Sequence, residues 1–381
     1  MAADQGFTGE VPIHGDVLEL LLSYVPLVDL VPAAHVSRSW RRAVAASLRH
    51  FKRAKPWLLV HTQGRCSGCP SSTYAYDPRS GIWIEVVDAW RPPVNLASAV
   101  RSSHSTLLYA LSPSRFSFSF DPLNLKWHHV QAPVVWRTDP VVALVGHHIV
   151  VAGGACDFED DPLSVETYDL RTGAWSACQS MPAILKDSCS SAWLSVAADR
   201  RRMYVTEKVS GLTHSYHPEA RAWYGPYYLR PDSSVYYSVI AFSGHRLILV
   251  GLIGSSENFE SLKLWEVSSD LQDIDEIAEI PAELGEKLKD QYTGVPSITV
   301  RAAGNFVYMH SPERPENVVW CEVAARGGRS EWGWGRNAAI GEKNWLERMV
   351  FTCASVGVAE LETAVAAGNR RFRVKETPSS I

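Results

Sequence analysis

The chain has 381 residues, of which 46% are hydrophobic and 20% charged, and its net charge is −4. Nothing in so even a balance predicts a nucleic-acid partner, and no run approaches the ~20 apolar residues a membrane helix needs. Seven scattered cysteines, an odd number, point to reduced thiols; with a start, Met1-Ala2-Ala3-Asp4, that lacks a basic-then-apolar leader, the expected location is cytoplasm or nucleus.

Residues 1–11 are expected to form a flexible lead. Beyond them residues 17–25 and 29–49 carry apolar side chains at helical spacing, with Leu18, Leu21, Leu22 and Val25 on one face. Pro26 ends the first helix, and Asp29 is placed to cap the next, with Pro32 tolerated in its first turn. About 40 residues cannot bury a large core alone, so an apolar helical face here calls for a partner.

From residue 55 the pattern changes to strands. Four times an aromatic residue is followed seven positions later by tryptophan: Tyr76 to Trp83, Phe120 to Trp127, Tyr168 to Trp175 and Tyr216 to Trp223. The leading aromatics lie 44, 48 and 48 residues apart, the mark of a repeat. Between the partners stand turn formers, as in Tyr76-Asp77-Pro78-Arg79-Ser80-Gly81, so each pair reads as a hairpin. Two further apolar runs precede each hairpin, for example 141–145 and 148–152 ahead of Tyr168. Four short strands per period make a propeller blade. Trp265 and Trp320 continue the series, so six blades fit.

The first blade begins with what reads as its second strand, 57–61, while the run 349–358 has no hairpin of its own. That run is expected to supply the missing inner strand and close the ring, which removes an exposed edge. Residues 281–289 read as a short surface helix within an acidic stretch, 270–290. The tail Arg370-Arg371-Phe372-Arg373-Val374-Lys375 alternates basic and apolar residues and reads as one more strand.

The segment Val36-Ser37-Arg38-Ser39-Trp40-Arg41-Arg42-Ala43-Val44 resembles the closing helix of an F-box, and residues 12–52 are similar to that motif throughout. Two departures are Ile13-His14 in place of an early Leu-Pro, and Ser37 where cysteine is common. Gly153-Gly154 followed by Tyr168 and Trp175 resembles a complete kelch repeat, with eroded doublets in other blades. An F-box ahead of kelch repeats resembles a large family, most expanded in plants, of substrate receptors of SCF-type ubiquitin ligases. The resemblance implies a mostly β protein: a helical F-box over 12–52, a six-bladed kelch β-propeller over 55–366 and a C-terminal tail over 367–381. It implies that Ile13, Leu18, Leu21, Val25, Pro26, Leu30, Val36 and Trp40 bind a Skp-type adaptor, and through it a cullin and a RING protein. The propeller would hold a target protein for ubiquitination and proteasomal degradation. Such a receptor is no enzyme, takes no cofactor or metal, and has neither nucleic acid nor membrane as partner.

Other chemistry finds little support. Cys66-Ser67-Gly68-Cys69 has no second pair to complete a four-ligand zinc site. His128-His129 and His147-His148 are adjacent, so strand alternation puts each pair on opposite faces. Glu266 and Asp270 match the first half of the iron-binding E-x-x-x-D-x-x-x-H of plant specifier proteins, but Ile274 replaces the histidine. A propeller enzyme or metal-dependent specifier, and a kelch scaffold whose F-box has decayed, stay as the alternatives.

In a four-stranded meander the loops after strands two and four open on one face, and specificity belongs on such loops. There the candidate target contacts are Glu159, Asp160 and Asp161, an acidic cluster; Arg115, Arg137, Lys186 and Arg230, a basic arc; and Arg314.

Overall fold

The protein was analysed as a computed structural model, which describes residues 15–64, 72–87, 99–157, 160–290, 292, 294–325, 328–337, 347–366 and 370–375. Strands dominate, and they form six antiparallel meanders whose inner strands lie side by side around an axis. This is the six-bladed propeller the period implied. Second strands such as His148–Ala152 and Arg246–Gly254 are packed from both sides by neighbouring blades, hence their nearly unbroken apolar runs. Among the described residues no helix is long and apolar enough to cross a membrane.

Blade one closes the ring as expected. Its inner strand, Glu347–Ala354, comes from the far end of the chain and pairs with Trp57–Gly64, from Trp57↔Ala354 to Gly64↔Glu347. Between them the ring of His61 reaches Thr73 Oγ1 and Thr352 Oγ1, each at 3.1 Å, tying three strands together. The tail strand is also present: Arg371–Lys375 adds to the outer edge of Ile82–Val87, so blade one has five strands. Segment 367–381, drawn from sequence as a separate tail, thus contributes a strand to the propeller.

Three of the four aromatic pairs face each other across their hairpins: Tyr76↔Trp83, Tyr168↔Trp175 and Tyr216↔Trp223, with ring centroids 5.3, 5.3 and 5.0 Å apart. The indoles of Trp175 and Trp223 also donate to Gln131 O and Gln179 O of the preceding blade, at 2.9 and 3.1 Å. Blade two departs from the rule. There Phe118 is the residue opposite the turn's far strand, stacked on His128 at 5.3 Å, because Phe120 lies beyond the strand end. The doublet Gly153-Gly154 takes φ of 64° and 100°; a Cβ on Gly153 would stand 2.2 Å from Cys189 O, so only glycine fits.

Three helices precede the ring: α1, Asp16–Ser23; α2, Leu27–Val36; and α3, Arg38–His50. The cap of α2 is Pro26, not Asp29, which lies in the first turn, and Pro32 falls inside the helix beyond that turn. Ser37 breaks the expected single span 29–49 in two: its extended backbone ends α2, and its Oγ accepts the Trp40 N–H at 3.2 Å to cap α3. The helix expected at 281–289 is α4, Ala282–Leu288. A fifth helix, α5, Val358–Ala366, follows the closing strand and packs on α2.

Candidate functional site

The helices and the candidate capture loops occupy opposite faces of the ring. The turn 78–81 of blade one lies at the end away from the capture loops, and its Arg79 reaches into the helical unit. Buried, Arg79 donates to the carbonyls of Leu22 (3.2 Å), Ser23 (3.0 Å), Val25 (2.6 Å) and Lys52 (3.1 Å). The first two are last-turn carbonyls of α1, at the negative end of the helix dipole; Leu22 O also accepts the Val25 N–H at 3.2 Å. A single core then runs from Leu18, Leu22, Leu27 and Leu30 through Trp57 and Leu59 to Leu361 of α5. Nothing in the sequence marked Arg79, because its partners lie 27 to 57 positions away.

Helix α1 is apolar on two sides. Leu18 and Leu22 turn inward, whereas Val17, Leu20, Leu21 and Tyr24, at i, i+3, i+4 and i+7, are exposed, Leu21 at 49%. Val36, at 63%, adds to this outward surface. The residues expected to meet an adaptor therefore separate. Leu21 and Val36 are available; Val25, Pro26 and Trp40 are half-buried; Leu18 and Leu30 are interior and hold the unit together. Ile13 lies outside the described residues. The exposed Val17, Leu20 and Tyr24 were missed, although their spacing was there to read.

On the opposite face the basic arc is broken. Arg137 is only 1% exposed and pairs with Glu166 at 2.6 Å, while also donating to Ser164 O and Val135 O. Burial works against its charge and Glu166 restores it. Arg115, Lys186 and Arg230 are exposed; Arg314 is half-buried, paired with Glu316 and bonded to Lys289 O. Of the acidic cluster, Glu159 lies outside the described residues. Asp161 shapes its own loop, accepting from Leu163 N–H (2.9 Å) and Ser180 Oγ (2.7 Å), and Asp160 is half-buried beside it. What the charge-based reading overlooked on this face is apolar: Trp193 (56% exposed), Ile184, Val209 and Tyr292 (92%). Trp193 and the 207–212 loop are neighbours, since Trp193 O accepts from Lys208 N–H at 3.0 Å.

Metal-ligating groups converge once among the described residues, at His147, His148 and Asp169 on the helix-bearing side, with ligand atoms within 4.8 Å of one another. Alternation predicted that the two histidines diverge, but His147 belongs to the turn before strand His148–Ala152, and the rings lie 4.0 Å apart. Asp169 accepts the Arg171 N–H at 2.8 Å, and Arg200, Arg201 and Glu219 line the cleft that holds the two histidines, so charges of both signs surround the cluster. Glu266 and Asp270 serve different partners, Arg246 and Ser268. Cys66 and Cys69 lie outside the described residues.

A six-bladed propeller with a small helical module fixed to one face is thus the class of architecture. The F-box domain model matches residues 15–52. An F-box/kelch-repeat protein of Arabidopsis thaliana is 45% identical over 372 residues, which is 93% of either chain, and this chain belongs to the F-box/kelch-repeat family. Among solved structures, a putative 6-phosphogluconolactonase from Bacteroides uniformis superimposes with a TM-score of 0.41 at 12% identity, covering 74% of this chain and 83% of that one. A second, from Bacteroides fragilis, gives 0.41 at 13%, covering 75% and 83%. Likenesses so distant do not bear on function.

Proposed function

We propose that this chain is the substrate-recognition subunit of an SCF-type E3 ubiquitin ligase, working in the cytoplasm or nucleus. Its α1–α3 unit binds a Skp-type adaptor, and through it a cullin and a RING protein. The far face of the propeller binds a target protein, which is ubiquitinated and then degraded by the proteasome. The receptor performs no chemistry of its own.

The observation that carries this reading is the outward stripe of Val17, Leu20 and Leu21 on α1 with Tyr24 at its C-cap, joined by Val36. Side chains of this size and spacing form a helix-borne anchor for an apolar groove on a partner. Arg79 and the shared core hold that stripe in a fixed relation to the ring, which suits a subunit that must present its cargo at a set distance from a ligase. Exposed Trp193, Ile184 and Tyr292 give the other face the aromatic and aliphatic anchors from which interface hot spots are made.

The test is co-purification of the full chain with a Skp-type adaptor, beside a Leu20→Asp/Leu21→Asp/Tyr24→Asp variant. Adaptor retained by the wild type and lost by a variant that still folds is the expected result. If both forms bind equally, the stripe is not the anchor; if neither binds, the helices have become a cap on the ring.

A further inference from the structure

The innermost strand of blade two, Val100–Arg101, is the shortest of the six. The chain that follows leaves the channel wall and crosses the axis. Ser103 Oγ accepts the Val142 N–H of blade three at 3.0 Å, and His104 Nε2 accepts the Leu144 N–H at 3.3 Å. Ser105 Oγ accepts the Ala302 N–H of blade six at 2.8 Å, and Ser105 O the Cys353 N–H of blade one at 2.7 Å. Segment 102–105 therefore bonds to blades one, three and six at once and divides the channel into two chambers. The lower one, about 810 Å³, opens between the inner turns on the helix-bearing side. The upper one, about 440 Å³, opens on the capture face and is closed below by the segment.

Its wall is basic. Arg101, Arg301 and Arg348 line it, and Lys208 adjoins it by donating to Ser191 O, a lining residue, at 3.1 Å and to Ala192 O at 2.7 Å. Arg301 donates to three backbone carbonyls, Phe351 at 2.7 Å, Val300 at 2.8 Å and Ser102 at 3.0 Å. A guanidinium carries five N–H donors, so two are left to face the chamber. Two carboxylates stand at the mouth: Asp139, paired with Arg101, and Glu313, which accepts from Ser311 Oγ at 2.9 Å. Among the described residues no carboxylate pairs with Arg301, Arg348 or Lys208. Burial and Arg301 together pull Lys208 down to about 8, and burial, with a smaller push from Arg348, weighs against the charge of Arg101. His310, at the wall and stacked on Phe351 at 3.8 Å, is held neutral by burial and Arg301.

Desolvated cations without counter-charges are costly, and their cost falls when an oxyanion joins them. We infer that the upper chamber is a binding site for a phosphate monoester, gripped by Arg301 and Arg348 with Lys208 at the rim. Planar guanidinium forks match phosphate oxygens two at a time, and the volume leaves room for a small organic body beside the phosphate. The phosphate arrives either on a free small molecule or on a phosphorylated side chain of the captured protein. The site stands whether or not the helices bind an adaptor.

Calorimetric titration of the full chain with inorganic phosphate, O-phosphoserine and a short phosphoserine peptide tests this, beside Arg348→Gln, Arg301→Gln and, as a control, Arg329→Gln in the exposed turn between strands Asn317–Glu322 and Glu331–Arg336. Saturable binding in the wild type and control, weakened at least tenfold in Arg348→Gln and Arg301→Gln, is the expected result. Among the described residues Arg348 makes no carbonyl bonds of the kind Arg301 makes, so its variant keeps the test sound if Arg301→Gln unfolds. O-phosphoserine bound and peptide excluded identifies a small-molecule pocket; peptide bound more tightly identifies a recognition point for modified targets. No binding of any probe, or binding unchanged in Arg348→Gln, overturns the inference.

Discussion

The two faces of the ring are built on different principles. On the helix-bearing face, a buried arginine ties four carbonyls of the helical unit to blade one, and one core joins α1, α2, blade one and α5. On the other, large side chains such as Trp193 and Tyr292 stand exposed in loops. The contrast teaches where this chain can vary. Changing the first face alters how the protein holds together; changing the second alters what it holds.

The sharpest way to break the contrast is Arg79→Met. Losing this cation removes the arginine donor from four carbonyls, those of Ser23, Val25 and Lys52 together with Leu22, which keeps the Val25 N–H, and the expected cost is about 3 kcal/mol of stability. It is read from the urea midpoint together with protease cleavage between the helices and the ring. An unchanged midpoint would mean that the core alone mounts the helices. Next in size, Leu22→Ala and Leu21→Ala divide α1 into its two faces. Leu22→Ala should lower stability by about 2–4 kcal/mol through the cavity it opens. Leu21→Ala should leave stability within about 0.5 kcal/mol and weaken adaptor binding by about 2 kcal/mol, roughly thirtyfold. Equal stability losses in the two variants would erase the distinction between them.

On the capture face, Trp193→Ala should be neutral in unfolding, within about 0.5 kcal/mol, yet cost target binding about 2 kcal/mol. The check is the amount of target retained on the purified receptor relative to wild type. Full retention would move the capture site away from blade four.

What the sequence allowed to be read, and what it did not, follows the same division. Blade count, the closing strand at 347–354, α4 and the edge strand at 371–375 rest on local alternation and turn chemistry, together with the need to cover an edge. Those signals act within a few residues, so they survive in a single sequence. The destinations of Arg79, Arg137 and segment 102–105 depend on groups brought near only by ring closure: Ser105 meets Ala302, 197 residues away. Polar residues on loops looked alike, although Arg137 is interior and Lys186 exposed. The exposed face of α1 was hidden for a different reason: apolar residues at helical spacing specify a face, but not whether the protein itself or a partner covers it.

A pH titration sharpens the picture of blade one, which bears the helices. His61 sits between Thr73 and Thr352 where the two ends of the chain meet, and burial, with a contribution from Arg370, pulls its pKa to about 3. In the unfolded chain it titrates near ~6.5. The folded state therefore excludes a proton that the unfolded state accepts. Its contribution is whole above pH ~6.5 and declines by about 1.4 kcal/mol per pH unit as the pH falls from there toward the folded pKa. His104, pulled to about 4, and His310, to about 3, act in the same direction. Between pH 6 and 5 these three histidines together should contribute a slope approaching three protons to the loss of stability, with His129, His148 and His214, also lowered by burial, adding to it. His61→Gln keeps a side chain that can bond both threonines but cannot titrate, so its slope should be smaller than the wild type's by about one proton. An unchanged slope would show that His61 accepts its proton without the closing blade coming apart, and that the junction of the two chain ends tolerates a charge at its centre.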